Sequence, residues 1–264
     1  MLRCVLLVLL FLGAVTLAQD RGPAALPAPV RPPAFNDTFS GGKLDTSKWI
    51  VDTGRAPGNI AGINNSTLNA ENVDLSTGML RLKLTQRVSG GLATSIGSEL
   101  RSKQLFGYGT YVWVARAAST SATPQGDGAA VSGTVFDVFN FIHDSETEID
   151  FEYQGQSPST LEMTNYSTVS HSQSSSTAVS GADSSFHEYK FVWSAGKIEF
   201  LVDGKLVSTH TEHVPSAPAA VLINLWGTNS SQFGGIATHG ATSYLYVSSF
   251  SFTPQPSPEP GGVN

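Results

Sequence analysis

Between positions 144 and 152 the chain reads DSETEIDFE, with acids at Asp144, Glu146, Glu148, Asp150 and Glu152, five of its 21 acidic residues. On an extended strand alternate side chains share a face. This spacing therefore lines carboxylates along one side and turns Ile149, Phe151 and Tyr153 to the other. A row of like charges is destabilising, so chemistry is the reading to weigh first. Glu148 and Glu152 lie roughly 13 Å apart at Cα, at ~3.3 Å per residue. With side chains leaning inward, their carboxyls reach the ~5–5.5 Å separation of double-displacement glycosidic cleavage, and the ~6.5–9.5 Å of single displacement stays open. Asp150 lies between them, and three crowded carboxylates do not all ionise, so one is predicted to hold a proton near neutral pH. That supplies an ionised nucleophile and a protonated acid. The competing readings are a calcium loop, disfavoured by Ile149 where such a loop needs glycine, and a solvated acidic edge, disfavoured by the apolar row opposite.

The elements that must hold this segment have an apolar period of two. Leu80, Leu82 and Leu84 alternate with Arg81 and Lys83, and Tyr244, Tyr246, Ser248, Phe250 and Phe252 form a second alternating row. Asp203-Gly204, inside KIEFLVDGKLV, is the pair that a tight hairpin with positive φ prefers. No long helical stripe with caps appears. Sheets without covering helices bury one face against another sheet, which predicts an all-β antiparallel β-sandwich. Its length exceeds that of one immunoglobulin-type domain.

Composition narrows the setting. The chain has 264 residues, 14% of them charged, with 26 Gly, 14 Pro, one Cys and a net charge of −6. An average soluble domain is about 25% charged, so a coiled coil is excluded. The acidic balance argues against nucleic acid as a partner. Arg3, the apolar run from Val5 to Val15 and the small-residue end Thr16-Leu17-Ala18 predict a signal peptide over 1–18. The run is shorter than the ~20 residues that span a bilayer. Cleavage would remove Cys4 and leave a secreted, extracellular or periplasmic protein with no membrane contact and no disulfide. Prolines at 23, 27, 29, 32 and 33 mark a linker over 19–34, and TPQPSPEP opens a proline-rich tail assigned to 254–264. The folded unit is expected over 35–253.

EIDFE at 148–152 resembles the catalytic signature of glycoside hydrolase family 16, in the form without an extra residue between Asp150 and Glu152. That form is typical of lichenases, plant xyloglucan-active enzymes and fungal cell-wall transglycosylases. The resemblance runs from about Phe35 to Phe252 and implies a jelly-roll sandwich of the concanavalin A type. It implies Glu148 as nucleophile, Asp150 as its electrostatic helper and Glu152 as general acid/base. GSELRSKQLFGYGTY at 97–111 is similar to the family segment that sends an acid and an arginine to the cleft, matching Glu99 and Arg101. TNYS at 164–167 resembles the stretch that supplies a sugar-contacting asparagine, Asn165. INLWG at 223–227 resembles the stretch that supplies Asn224 and Trp226, whose ring suits stacking on a sugar. Asn65, in NNSTLNAENV, matches an amino-terminal cleft asparagine. Phe139 and Phe141, in VFDVFNF, are read as a stacking platform, with the core as the alternative for one of them. His187 and Trp193 are read as structural.

Three departures bear on specificity. Glu146 stands where lichenases carry Trp, Ser167 where they carry a second Tyr, and Ser66 near a cysteine position. The segment 119–132, rich in small residues, is expected as a cleft-edge loop. The resemblance implies a monomeric secreted retaining endo-β-glucanase acting on β-1,3-1,4- or β-1,3-glucan. The alternatives are a β-glucan or xyloglucan transglycosylase using the same residues and a noncatalytic carbohydrate-binding module. No cofactor is expected to be required and no metal-ligating residues are assigned. Family members often carry a structural calcium whose backbone ligands leave no motif.

Overall fold

The computed structural model describes residues 33–143 and 145–255. The expected signal peptide, nearly all of the 19–34 linker and most of the tail lie outside the described residues. Strand β1 (Phe35–Asp37) opens the described fold, and β17 (Thr242–Pro254) closes it. Between them every element is a strand apart from one 3₁₀ turn at Ala70–Asn72, the all-β class expected.

The strands form two layers. The first runs, neighbour to neighbour, β12 (His171–Ala178), β11 (Thr160–Thr168), β10 (Thr147–Gln154), β9 (Thr134–Ile142), β16 (Ala219–Gly227), β7 (Leu92–Phe106) and β2 (Trp49–Asp52). The second runs β15 (Lys205–His210), β14 (Lys197–Val202), β13 (His187–Ser194), β8 (Gly109–Ser119) and β17, whose far edge takes β6 (Leu80–Ser89) and then β1. Strand β7 serves both layers. Its first half pairs with β6 and, in parallel, with β4 (Asn64–Leu68), while its second half pairs with β16 and β2. All the other pairings are antiparallel. The short β3 (Gly54–Arg55) pairs with β4.

The local sequence explains these elements. Leu80, Leu82 and Leu84 are wholly buried while Arg81 and Lys83 are half-buried, a strand with one face in the core. Asp203 at φ 50° and Gly204 at φ 76° join β14 to β15, the positive pair that matches the twist of a two-residue hairpin. The second expected row needs correction. The register shift at Tyr244/Tyr246 places its extra residue on β8, whereas the one at Val247/Ser249 places it on β17 and moves the buried core row from Leu245 and Val247 to Phe250 and Phe252. A bulge inserts one residue and so reverses which parity faces inward. The acidic row is also shorter than expected: β10 begins at Thr147, and Glu146 is exposed in the preceding turn.

Segment 119–132 does not border the open face of the first layer. The wholly buried guanidinium of Arg116 donates to the carbonyls of Pro124 and Asp183, each at 2.8 Å, and holds the segment against the second layer. Tyr246 Oη donates to the Ser121 carbonyl at 2.9 Å. Small residues are needed here because a Cβ on Gly128 would lie 2.5 Å from the Ser121 nitrogen.

The core fixes β10 from behind. Ile149, Phe151 and Tyr153 all point between the layers. Phe151 meets Phe200 edge-on at 5.3 Å and Trp113 at 6.5 Å, and Tyr153 stacks on Phe136 at 6.0 Å. Burying each such ring stabilises the fold by about 1.5–3 kcal/mol, and pleating then forces residues 148, 150 and 152 to the opposite, open face.

Candidate active site

That open face carries a cleft of about 720 Å³. Strand register organises its floor into crosswise rows, because directly opposed residues share a face. One row places Tyr166, Glu148, Phe141 and Ala220 side by side. The next places Thr164, Asp150, Phe139 and Leu222 in line. A third runs Glu162, Glu152, Asp137, Asn224, Glu99 and Asp52, five acids interrupted only by an amide. A fourth sets Gln154 against Val135, with Trp226 beyond.

Hydrogen bonds set the orientation of the key groups. Ser145, at φ 62° in the turn before β10, donates its hydroxyl to Glu148 Oε2. Gln154 donates to Glu152 Oε1 at 3.3 Å and to Glu162 Oε1 at 3.1 Å, and its own carbonyl accepts from the Gly234 amide at 2.7 Å. Trp226 Nε1 donates to Asp137 Oδ2 at 2.9 Å, and Asn224 donates to Glu99 Oε2 at 3.2 Å. One oxygen of Asp150 and one of Asp137 are buried with no partner.

Burial dominates the electrostatics. It raises the Glu148 carboxyl, opposed by the Ser145 hydroxyl, which favours the ionised form. Burial and then the charges of Glu148, Asp137 and Glu152 push Asp150 well above the usual range. Glu152 is pushed up by burial and then by Asp137 and Glu162. Glu99 rises to about 7, chiefly through burial, with Asn224 acting against the rise. The Ser145 hydroxyl thus favours the ionised form of the carboxyl at one end of the EIDFE segment, while burial and two acidic neighbours favour the protonated form at the other, with Asp150 between them pushed toward its protonated form. Such a pair can attack one side of an acetal carbon and protonate the oxygen leaving it.

Of the residues singled out from the sequence, Glu148, Asp150, Glu152, Glu99, Phe139, Phe141, Asn224 and Trp226 line the cleft. Three do not. Asn65 is exposed, while its neighbour Asn64 is buried and donates to the Gly58 and Gly227 carbonyls. Period two on β4 turns 64, 66 and 68 inward and 65 outward. Asn165 has the parity of Leu161 and Met163, so it points between the layers rather than to the cleft. Its amide nitrogen donates to the Glu212 and His213 carbonyls, which makes it framework. Arg101 shares the face of Glu99 but forks onto Asp52, with Nε and Nη2 at 2.7 and 2.9 Å, at the margin of the cleft. His187 contacts Asp203 at 2.7 Å in the second layer, and Trp193 is buried and donates to the Pro215 carbonyl.

Trp226 also differs in detail from the expected open platform. It is only 8% exposed, and Phe233 stacks on it at 5.9 Å and 20°. Gly58 packs so closely that a Cβ there would lie 2.8 Å from the indole ring. Phe233, 36% exposed and lining the cleft, presents the free aromatic surface. Asp137, Glu162, Tyr166 and Phe233 are cleft residues that sequence reasoning missed. For Asp137 a signal existed, since a lone acid within the apolar VFDVFNF is costly to bury without a role.

Among the described residues no group of three or more His, Cys, Asp and Glu side chains is arranged to hold a metal ion. No helix among the described residues is long and apolar enough to cross a membrane.

Comparison with known proteins agrees with this geometry. The model of the glycosyl hydrolases family 16 matches residues 63–242. A beta-glucanase of Paenibacillus macerans is 32% identical over 187 residues, 69% of this chain and 73% of that protein. The endo-1,3-1,4-beta-glycanase ExoK of Rhizobium meliloti is 28% identical over 228 residues, 83% of this chain and 78% of its own. The solved beta-glucanase of Bacillus licheniformis superposes with a TM-score of 0.71 at 26% identity, covering 85% of this chain and 99% of that one. The chain belongs to glycosyl hydrolases family 16. It is a glycoside hydrolase with a lichenase-like jelly-roll fold.

Proposed function

We propose that this chain is a secreted retaining endo-β-glucanase that cleaves β-1,3-1,4- or β-1,3-linked glucan. The observation that carries the reading is the placement of Glu148 and Glu152 on one cleft-facing strand, with the Ser145 hydroxyl on the first and two carboxyl neighbours around the second. Glu148 attacks the anomeric carbon while Glu152 passes its proton to the departing glycosidic oxygen. A covalent glycosyl-enzyme forms, and Glu152, now a base, takes a proton from the water that releases it. Asp150 sits between them, pushed toward its protonated form by burial and by its acidic neighbours, which limits the charge of the segment. The apolar floor of Phe139, Phe141 and Leu222 suits an uncharged polysaccharide, and the names of the relatives point to β-glucan as substrate. Export rests on Arg3 and the apolar run that follows it.

Glu148→Gln should abolish release of reducing ends from barley β-glucan, lichenan and laminarin while the circular dichroism spectrum stays unchanged. Near-normal rates in that variant would overturn the assignment. Products longer than a supplied oligosaccharide would move the reading from hydrolysis to transglycosylation.

A further inference from the structure

We infer that Asp137 is a positioning residue that shares one proton with Glu152 and keeps that carboxyl protonated until the leaving oxygen takes the proton. The inference rests on the reading of Glu152 as general acid/base.

Its basis is geometric. Asp137 on β9 sits directly opposite Glu152 on β10, both line the cleft, and directly opposed side chains on neighbouring strands interact. Asp137 is only 7% exposed. Its Oδ2 accepts the Trp226 indole N–H, while Oδ1 is buried without a partner. Two facing carboxyls satisfy such an oxygen only when one of them carries a proton. On its other side Glu152 Oε1 accepts from Gln154, so Glu152 is held between an amide donor and an acidic acceptor. The indole N–H favours the charged form of Asp137, which leaves the shared proton on Glu152.

The other titratable groups facing the pair reinforce this. Glu162 on β11 opposes Glu152 from its far side, and Asp150 and Glu148 lie along β10 itself. Glu99 on β7 follows Asp137 across Asn224, and Tyr166 and the cation Arg55 line the same cleft. Among these, acids outnumber the single cation. The acids among them, Glu162 foremost, oppose loss of a proton from the pair.

The proton count closes over the cycle. The resting pair holds one proton and one negative charge. Glu152 gives the proton to the glycosidic oxygen as Glu148 bonds to the anomeric carbon, leaving two adjacent carboxylates. Their repulsion makes Glu152 a stronger base, and it recovers a proton from the attacking water as the bond to Glu148 breaks.

The test is the pH dependence of kcat/KM on barley β-glucan in the full chain, for the parent, Asp137→Asn, Trp226→Phe and Glu152→Gln. Asp137→Asn keeps an acceptor for the indole but replaces the charge with an amide donor facing Glu152. Its alkaline limb should move to lower pH by about one unit or more. Trp226→Phe removes the donor that steadies the Asp137 charge, and its limb should move to higher pH. On aryl β-glycosides whose phenolate leaves without a proton, the alkaline deficit of Asp137→Asn should vanish. A limb that stays in place in either folded variant, while Glu152→Gln is inactive, overturns the inference and leaves the acid/base assignment standing. Full activity in Glu152→Gln would instead overturn the assignment itself. The two limbs moving in opposite directions distinguish proton sharing from a structural role, and either variant serves if the other does not fold.

Discussion

Asn165 Oδ1 lies 2.7 Å from Nδ1 of His210, and the two side chains tie β11 to β15 across the layers. Because the Asn165 nitrogen is committed to the carbonyls of Glu212 and His213, its oxygen is the acceptor and the imidazole carries hydrogen on Nδ1. Burial holds the His210 ring below its ordinary value, which keeps it neutral at pH 7.

Replacing Asn165 by Ala would leave two backbone carbonyls and one ring N–H without partners. The His210 N–H is buried and costs about 1–3 kcal/mol when orphaned, while the carbonyls of the exposed Glu212 and His213 regain water and add less. We expect a loss of about 2–4 kcal/mol in urea unfolding with KM for β-glucan unchanged. A raised KM with full stability would restore the asparagine as a sugar contact.

Glu99 supplies a pH-dependent stability prediction. Its folded value of about 7 stands above the 4.5 of a free glutamate, so the folded protein holds a proton that the unfolded chain releases. The stability tied to this proton is complete below pH 4.5 and is lost as pH rises through 7. The loss amounts to about 3 kcal/mol at most. Glu99→Gln should therefore raise the melting temperature by several degrees at pH 8, at about 2–4 °C per kcal/mol, and by nothing at pH 4. Calorimetry across that range checks it, and an equal shift at both ends would count against burial of Glu99 as the cause.

Phe233 offers a third prediction. Its ring is the open member of the stack with Trp226, and aromatic contacts of this kind contribute about 0.5–1.5 kcal/mol beyond area burial. Phe233→Ala should raise KM for polymeric β-glucan by about two- to tenfold while kcat holds. A drop in kcat alone would assign the residue to framework support of Trp226 and Asp137.

Much of this architecture was legible in the residues. Period two, the Asp203-Gly204 turn and the alternation around Ile149, Phe151 and Tyr153 led to the sandwich and to the face carrying Glu148, Asp150 and Glu152. Positions 65 and 165 were misjudged because similarity of a segment fixes its strand but not its parity, and one residue of offset exchanges cleft for core. The fork of Arg101 onto Asp52 was not legible, because Asp52 is distant in sequence. Asp137 escaped because its partners, Glu152 and Trp226, come from two other strands, and no spacing within one segment encodes such a meeting. The reversal of the row in β17 depends on the bulge at Val247/Ser249, which leaves no fixed residue signature.

Strand β7 gives the molecule a spine. One continuous backbone belongs to both layers there, so along that side the layers cannot part without breaking strand hydrogen bonds. The opposite margin is fastened differently, by side chains alone: Ser175 approaches Ser208 at 2.8 Å and His210 at 2.7 Å, and Gln173 accepts from the amides of Thr211 and Glu212. The protein is in this sense a book bound at β7 and clasped at β12 and β15. The cleft is therefore braced by strand hydrogen bonds on its Glu99 side and by side-chain contacts beside β11 on the other.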